Sequence, residues 1–431
     1  MSNWIHSTLE QICVPDKGAI ISGPFGSNIS SKFFVSQGVP VIRGNNLTLG
    51  KEKFIDNGFA YITPEKAEEL NCYALKNDLV FTAAGTLGQV GVLTGDLRYE
   101  KYVISNKQLR ARIDSSKVDL LYAYYWYSSP WMQQYFITNN KGSTVPLVTL
   151  SELKSAPITY PESIEEQRKI ASIFDDITTK IDLNTRLCSE LEAMAKTLYD
   201  YWFVQFDFPD ENGKPYRTSG GAMERCQELG REVPKGWKVG NLYDIADYIN
   251  GLACQNFRPA EGEESLPVIK IKEMHDGITL DTERVSARIP EKNIINDGDI
   301  LFSWSATLEV MYWTGGKGGL NQHIFKVVPK AHYQKEFVYN QLSSYIINFV
   351  KMAEARKTTM GHITSDHLQQ SRIVLPPVPV LRQFHDEVSA QHQMIIKCRK
   401  ENRELEKLRD WLLPMLMNGQ AYVKVGGDES V

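Results

Sequence analysis

The residue types needed for catalysis are present in this chain, but their spacing does not assemble them into a reaction set. Glu152-Leu153-Lys154 supplies the last carboxylate and lysine of a nuclease-like centre, yet no Pro-Asp element precedes it at strand spacing. Leu375-Pro376-Pro377-Val378 has the paired prolines of an amino-methyltransferase tetrapeptide without the polar residue that would hold a target amine. No Gly-rich loop runs into Lys-Ser or Lys-Thr, and no GxGxxG segment offers a nucleotide cradle, so a P-loop ATPase is not expected. Gly315-Gly316-Lys317-Gly318-Gly319 lacks the hydroxyl and the spacing of a phosphate loop and reads as a flexible hairpin tip. The eight histidines form neither HExxH nor a tight cluster, and His362 and His367, five apart, are expected on different faces. Cys13, Cys72, Cys188, Cys226, Cys254 and Cys398 include no CxxC pair and sit among apolar or helical neighbours. Free thiols in a reducing compartment fit them better than disulfides or zinc.

The elements around these residues belong to a large folded protein. The chain has 431 residues, 42% hydrophobic and 23% charged, which suits two to four domains with buried cores. No apolar run reaches ~20 residues, so no membrane span is expected. The start, Met1-Ser2-Asn3-Trp4-Ile5-His6, lacks the basic and apolar regions of a signal peptide, which makes the cytoplasm the expected location. Net charge is -4. Residues 1–160 carry 15 Lys+Arg against 13 Asp+Glu, and residues 234–378 carry 16 of each. Such a balance argues against a broad basic surface: either the chain does not bind nucleic acid, or it makes local phosphate contacts supplemented by partners.

An internal duplication organises the chain. Trp4, Leu9 and Ile12 recur as Trp237, Leu242 and Ile245. Val39-Pro40-Val41-Ile42-Arg43 returns as Leu266-Pro267-Val268-Ile269-Lys270, and Asn77-Asp78-Leu79-Val80-Phe81 as Gly298-Asp299-Ile300-Leu301-Phe302. Thr144, Thr149, Leu153, Ile158 and Pro161 fall on Thr359, Thr364, Leu368, Ile373 and Pro376. The offset drifts from 233 through 227 and 221 to 215, as shared cores with loops of changing length require. Apolar positions agree between the copies while the polar residues between them differ.

Each copy opens with a mixed region, 1–160 and 234–378, of short β runs separated by Gly, Asn and Pro turns. Leu79–Phe81, Val90–Leu93 and Leu109–Ile113 read as strands, with counterparts at Ile300–Phe302, Val310–Trp313 and His323–Val328; an aromatic-rich helix follows near 117–137 and 333–354. A long amphipathic helix then occupies 161–205 and 379–420. Its apolar seam is Ile170, Ile173, Ile177, Ile181, Leu187, Leu191, Met194 and Leu198 in the first copy, and Phe384, Val388, Ile395, Leu405, Leu408 and Leu412 in the second. Lys180 and Asn184 interrupt the first seam, Gln391 and Asn402 the second, a pattern that specifies register at some cost in stability. Two such helices in one chain are expected to pair antiparallel as rods of about 55 Å. The predicted fold is α+β: two similar α/β heads separated by long paired helices, with approximate two-fold symmetry. Residues 206–233 form a connector whose aromatics should pack onto something, and 421–431 a flexible tail.

The combination resembles the specificity subunits of type I restriction-modification enzymes, over essentially the whole chain. The phrases that carry the resemblance are Gly23-Pro24-Phe25-Gly26-Ser27, Val41-Ile42-Arg43-Gly44-Asn45, Leu79 to Gly88, Lys141-Gly142-Ser143-Thr144-Val145-Pro146, and Pro161 followed by Glu165-Glu166-Gln167-Arg168-Lys169-Ile170. In the second copy they are Leu301 to Ala306, Gly319-Leu320-Asn321-Gln322-His323 and Lys357 to Ile363. The resemblance implies two target-recognition domains that each read half of a split double-stranded DNA site. It also implies helices that dock two modification subunits and, through them, restriction-translocation subunits. S-adenosylmethionine, ATP and Mg²⁺ would serve those partners, with no cofactor and no metal on this chain, which would itself be non-catalytic. The second copy departs from the pattern, having Gly251-Leu252-Ala253-Cys254-Gln255-Asn256-Phe257 in place of the first glycine-rich phrase, so the heads should read unlike half-sites. The alternative, a coiled-coil scaffold that never touches bases, accounts for the acidic balance but not for two polar-looped heads.

On this reading, side chains in Gly/Asn/Ser/Lys loops approach the duplex. In the first head these are Ser27, Asn28, Ser31, Lys32, Arg43, Asn45, Asn46, Thr86, Asn106, Lys107 and Lys141. In the second they are Gln255, Asn256, Arg258, Lys270, Lys272, His275, Ser303, Trp304, Ser305, Asn321, Gln322, His323, Arg356, Lys357 and His362. Arg and Lys suit guanine or phosphate, and Asn and Gln can pair two edges of adenine.

Overall fold

The duplication reappears strand for strand in a computed structural model of the chain, which describes residues 3–50, 52–139, 146–305, 307–355, 363, 365–421 and 423. The chain divides into two compact units, Met1–Asp182 with Leu405–Val431, and Leu183–Glu404.

In unit one an antiparallel sheet takes its strands in the order Ile20–Ser22, Gln108–Arg112, Asp78–Thr82 and Val90–Val92. A mixed sheet orders Ala60–Ile62, Val39–Ile42, Lys101–Ile104 and Tyr73–Leu75, its two middle strands parallel. Unit two repeats both: Ala246–Asn250, Ile324–Pro329, Ile300–Ser303 and Glu309–Tyr312 in one, and Arg284–Ser286, Ser265–Ile269, Gly318–Leu320 and Ile294–Ile295 in the other, again with a parallel central pair. A short antiparallel pair closes each head, Trp4–Thr8 on Pro157–Pro161 and Lys238–Gly240 on Ile373–Leu375. Buried β-branched and aromatic residues hold the strands; Leu79, Val80, Val90 and Val92 in unit one, and Leu301 and Phe302 in unit two, are fully enclosed.

One carboxylate braces each scaffold, buried in the first and half-buried in the second. Asp78 is wholly enclosed, accepts from the Leu75 backbone N–H and takes a bidentate pair from Arg112 at 2.8 and 2.9 Å. Its counterpart Asp299 accepts from Asn296 N–H and pairs with Lys326 at 2.9 Å.

The aromatic helices differ between copies for a local reason. In unit one Ser129 caps a new helix that starts at Pro130, so the region splits into Leu120–Tyr127 and Pro130–Thr138. In unit two no proline intervenes and one helix runs Lys335–Ala355.

The long helices span Ile164–Tyr199 and Val378–Met417. Within unit two their segments run antiparallel: Asn184 lies on Asn402, Cys188 on Ile395, and Tyr199 on Phe384. The polar seam residue Asn184 donates to Asn402 at 2.8 Å and to Glu401 at 2.9 Å, while Asn402 donates to Thr185. Within unit one Ile170, Phe174, Leu413 and Leu416 share a core.

Two expectations need correction. Leu187, Met194 and Leu408 do not line the seam; they are exposed, Met194 by 58%. The buried line of the first helix instead runs through Phe174, Ile177, Asn184, Cys188, Ala195 and Tyr199. The glycine run is no flexible tip: Gly318 and Gly319 form a buried central strand. A Cβ on either would lie 2.5–2.6 Å from the Ile269 or Val285 side chain. The residues after Phe206 form a fixed structure, as their aromatics suggested. Phe208 stacks on both Tyr216 and Trp237, and the hairpin Met223–Cys226 with Arg231–Pro234 follows. In the tail, Ala421 and Val423 pack against the core of unit one; residues 422 and 424–431 lie outside the described residues.

Candidate nucleic-acid interface

Four loops meet at one end of each head, tied by backbone hydrogen bonds between strand ends. In the first head Gly23 N–H donates to Gln108 O, Ser105 N–H to Ile42 O, and Ala83 N–H to Lys107 O. Loops 23–29, 43–46, 83–88 and 105–107 therefore adjoin, and Val148 N–H joins them by donating to Ala83 O. The second head repeats the scheme. Gly251 N–H donates to Ile324 O, Asn321 N–H to Ile269 O, Trp304 N–H to His323 O, and Ile363 N–H to Trp304 O.

Glycine is required where the first loop crosses. A Cβ on Gly23 would lie 1.8 Å from Ser105 O, and one on Gly251 2.0 Å from Asn321 O. Both positions keep the close approach although, of the five residues that follow, only Asn28 and Asn256 agree. A second shared device follows the next strand: Asn46 accepts from Arg43 N–H at 3.0 Å, and Glu273 accepts from Lys270 N–H at 3.1 Å.

The structure brings most of the proposed reading residues to these loops. Ser27, Asn28, Ser31, Lys32, Asn45, Thr86, Asn106 and Lys107 are exposed. Lys32 and Lys107 have no ion pair among the described residues, which leaves both ammonium groups available to an anion. Arg43 is half-buried, with a buried Nε that meets no partner among the described residues. In the second head Gln255, Asn256, Arg258, Lys272 and His275 are exposed; Lys270 is held by Glu283 at 2.6 Å and His275 lies 3.1 Å from Glu309. That hydrogen bond to Lys270 holds the Glu283 carboxyl below its ordinary value. Gln322 and His323 are half-buried, and Trp304 packs its ring against His323 and Phe325.

Four of the proposed readers are buried and serve the frame. Asn46 is fully enclosed and, besides capping Arg43, donates to Ile55 O at 3.0 Å and Asn57 O at 2.8 Å. Ser303 is equally enclosed and donates to Thr307 O at 2.6 Å. Ser305 and Asn321 are also buried, and Asn321 accepts from His323 N–H at the base of its loop. Lys141, Arg356, Lys357 and His362 lie outside the described residues. Sequence reasoning passed over Phe25 as a contact residue: it stands 89% exposed at the tip of the first loop, and the signal was an aromatic between Pro24 and Gly26.

The residues weighed for catalysis have structural partners. Glu152 closes a capping box with Thr149, and Lys154 pairs with Glu10 at 2.8 Å. Burial pushes the Cys13 thiol up to about 12 and those of Cys72, Cys188 and Cys254 up to about 11, so none is a ready thiolate. Among the described residues no His/Cys/Asp/Glu group is placed to hold a metal, and no helix is long and apolar enough to cross a membrane.

A duplicated β scaffold that presents unlike polar loops from equivalent strand ends defines a recognition protein. Residues 1–193 and 234–397 each match the type I restriction modification DNA specificity domain. The chain belongs to that family, whose part in such systems is recognition of DNA sequence. It is 24% identical over 422 residues to the type I restriction enzyme MjaIX specificity subunit of Methanocaldococcus jannaschii, covering 95% of this chain and 93% of that one. It is 23% identical to the HindI specificity subunit of Haemophilus influenzae, over 92% and 98% of the two chains. The fold is that of the S subunit from M. genitalium, with a TM-score of 0.58 at 14% identity and 96% of each chain covered.

Proposed function

We propose that this chain reads a bipartite, asymmetric site on double-stranded DNA, one half with each head, and docks two modification subunits through its long helices. The observation that carries this reading is the repeated loop cluster: the same strand ends, glycine crossing and cap hold different polar side chains in each copy. Covalent chemistry belongs to the partners in this proposal. The modification subunits would use S-adenosylmethionine to methylate adenine, and restriction subunits recruited through them would use ATP and Mg²⁺. Docking is supported by the apolar stripe Leu183, Leu187 and Met194, which stands exposed on one helix at spacings that share a face.

Methylome sequencing of the host with and without this gene tests the reading directly. A split motif that disappears with the gene is expected; an unchanged methylome would leave the scaffold alternative standing. Within the assembled methyltransferase, Arg43→Ala should cost about 1–3 kcal/mol and relax one base position if Arg43 reads a base. Lys107→Ala should weaken all sequences alike if Lys107 holds phosphate.

A further inference from the structure

We infer that Phe25 is an apolar wedge that enters the duplex at the half-site read by the first head, opening one base step, and that the second head has no equivalent. The inference rests on the DNA-reading function proposed above and adds to it a residue and a mode of contact.

The loop is built to hold this ring outward. Its near end is pinned by Gly23, whose N–H donates to Gln108 O and whose Cα lies against Ser105 O with no room for a side chain. Its far end is pinned by Ile29, buried in a core with Val41 and Ile104. Between them, Pro24 restricts the backbone. Phe25 sits in extended geometry (φ -64°, ψ 130°), and its carbonyl accepts from Asn28 N–H to start a 3₁₀ turn. The phenyl ring is thus the tip of a short, doubly anchored loop.

Its surroundings identify the occupant. Ser27 and Asn28 are exposed on the same turn, and Asn106 and Lys107 are exposed on the loop that Gly23 abuts. An apolar ring flanked by amides, a hydroxyl and an unpaired ammonium suits a nucleic-acid duplex, where phosphates take the cation and the stacked base pairs take the ring. Proteins that kink DNA insert phenylalanine or leucine between base steps in this way. Counting from the shared glycine, Phe25 corresponds to Ala253, so the second head presents a methyl group at that point. The deformation, and the preference it gives for easily unstacked steps, should belong to one half-site only.

The test uses the full chain assembled with its modification subunits. The probe is a duplex bearing the methylome-defined site, with 2-aminopurine placed at successive positions. Apart from the target adenines, which the modification subunits must turn out of the stack to methylate, fluorescence of the wild-type complex should rise at one step in the first head's half-site. Phe25→Ala should remove that rise and weaken specific binding on the order of tenfold or more, the yield of burying a phenyl ring. Phe25→Leu should keep most of both, and Ala253→Phe should create a rise in the other half-site. Since the ring is 89% exposed, folding is not at stake, and the melting temperature of Phe25→Ala should equal that of the wild type. A rise that survives Phe25→Ala, or its absence from a wild-type complex that binds specifically, overturns the wedge while leaving the reading function intact. An equal loss of affinity for cognate and unrelated duplexes in Phe25→Ala also overturns it. A wild-type complex with no sequence preference would instead overturn the function on which the wedge rests.

Discussion

Replacing Asn46 by alanine separates a structural amide from a base-reading one. Asn46 and Asn45 are adjacent asparagines in a loop at the recognition end, yet only Asn45 is exposed. The Asn46 side chain makes three bonds, accepting from Arg43 N–H and donating to Ile55 O and Asn57 O. Each buried bond lost costs about 1 kcal/mol net, so Asn46→Ala should destabilise the region by about 3 kcal/mol. Asn45 makes one exposed bond, 3.3 Å to Gly58 O, and Asn45→Ala should change stability by less than about 0.5 kcal/mol. Because a chain with two units need not unfold in one step, the suitable assay is amide hydrogen exchange read by mass spectrometry on peptides covering 39–62. In Asn46→Ala those amides should exchange roughly 100-fold faster, the factor equivalent to about 3 kcal/mol, while peptides of the second head keep their protection. Wild-type exchange in Asn46→Ala, together with a changed preference at one base pair, would refute the assignment and restore Asn46 as a reader.

Other expectations follow from the same kind of accounting. Asp78→Ala leaves Arg112, and the buried Arg110 beside it, without their carboxylate, and should cost 3–5 kcal/mol, seen as a lowered denaturation midpoint for unit one. Gly23→Ala cannot keep the loop against Ser105 O, so specific DNA binding should fall sharply while far-UV circular dichroism is unchanged. Asn184→Val removes two bonds between the helices and Asn402→Val removes one of them, so each alone should destabilise the paired helices, by about 1–2 kcal/mol, the first more than the second. The double variant should recover part of that loss in a denaturation-based double-mutant cycle. Burial holds the His392 imidazole down at about 4, well below its ordinary 6.5, with the Glu336 charge opposing weakly. Its neutral form therefore contributes stability that is complete above pH 6.5 and is lost as pH falls toward 4, by up to about 3 kcal/mol. His392→Leu should flatten that part of a urea-denaturation series run from pH 7.5 to pH 4.

Much of the scaffold was readable because its constraints occur twice. The drifting offset marked the first and last strands of each head and the pairs Val39–Ile42 with Ser265–Ile269 and Asp78–Thr82 with Ile300–Ser303, and apolar runs such as Leu79–Phe81 and Ile300–Phe302 became central strands as their pattern required. The helix seam was misread for a physical reason. Apolar periodicity counts Leu187 and Met194 as core, whereas the helices meet where Asn184 bonds Asn402 and where Cys188 packs with Ile395 and Cys398. The glycine run misled in a similar way. Composition alone cannot distinguish glycines that confer freedom from Gly318 and Gly319, which are there because Ile269 and Val285 fill the space a side chain would need.

The candidate site divides along the same line. Positions that hold the loops answer to contacts inside the head, so they keep their role in both copies: Gly23 and Gly251 at the crossing, Asp78 and Asp299 under the sheet, Asn46 and Glu273 in the cap. Exposed positions of the first head carry no such bond, and their counterparts differ: Phe25 against Ala253, Lys107 against His323. A polar residue in a turn can satisfy either demand, and burial assigns Asn46 and Ser303 to the frame. The informative contrast is thus between a residue whose counterpart performs the same bond with different chemistry and one whose counterpart performs no bond at all. Asn46 is of the first kind, since Glu273 makes its backbone cap with a carboxylate; Phe25 is of the second, since Ala253 has nothing to replace its ring. A protein that repeats its own fold therefore carries an internal control for separating what supports a recognition surface from what the surface reads.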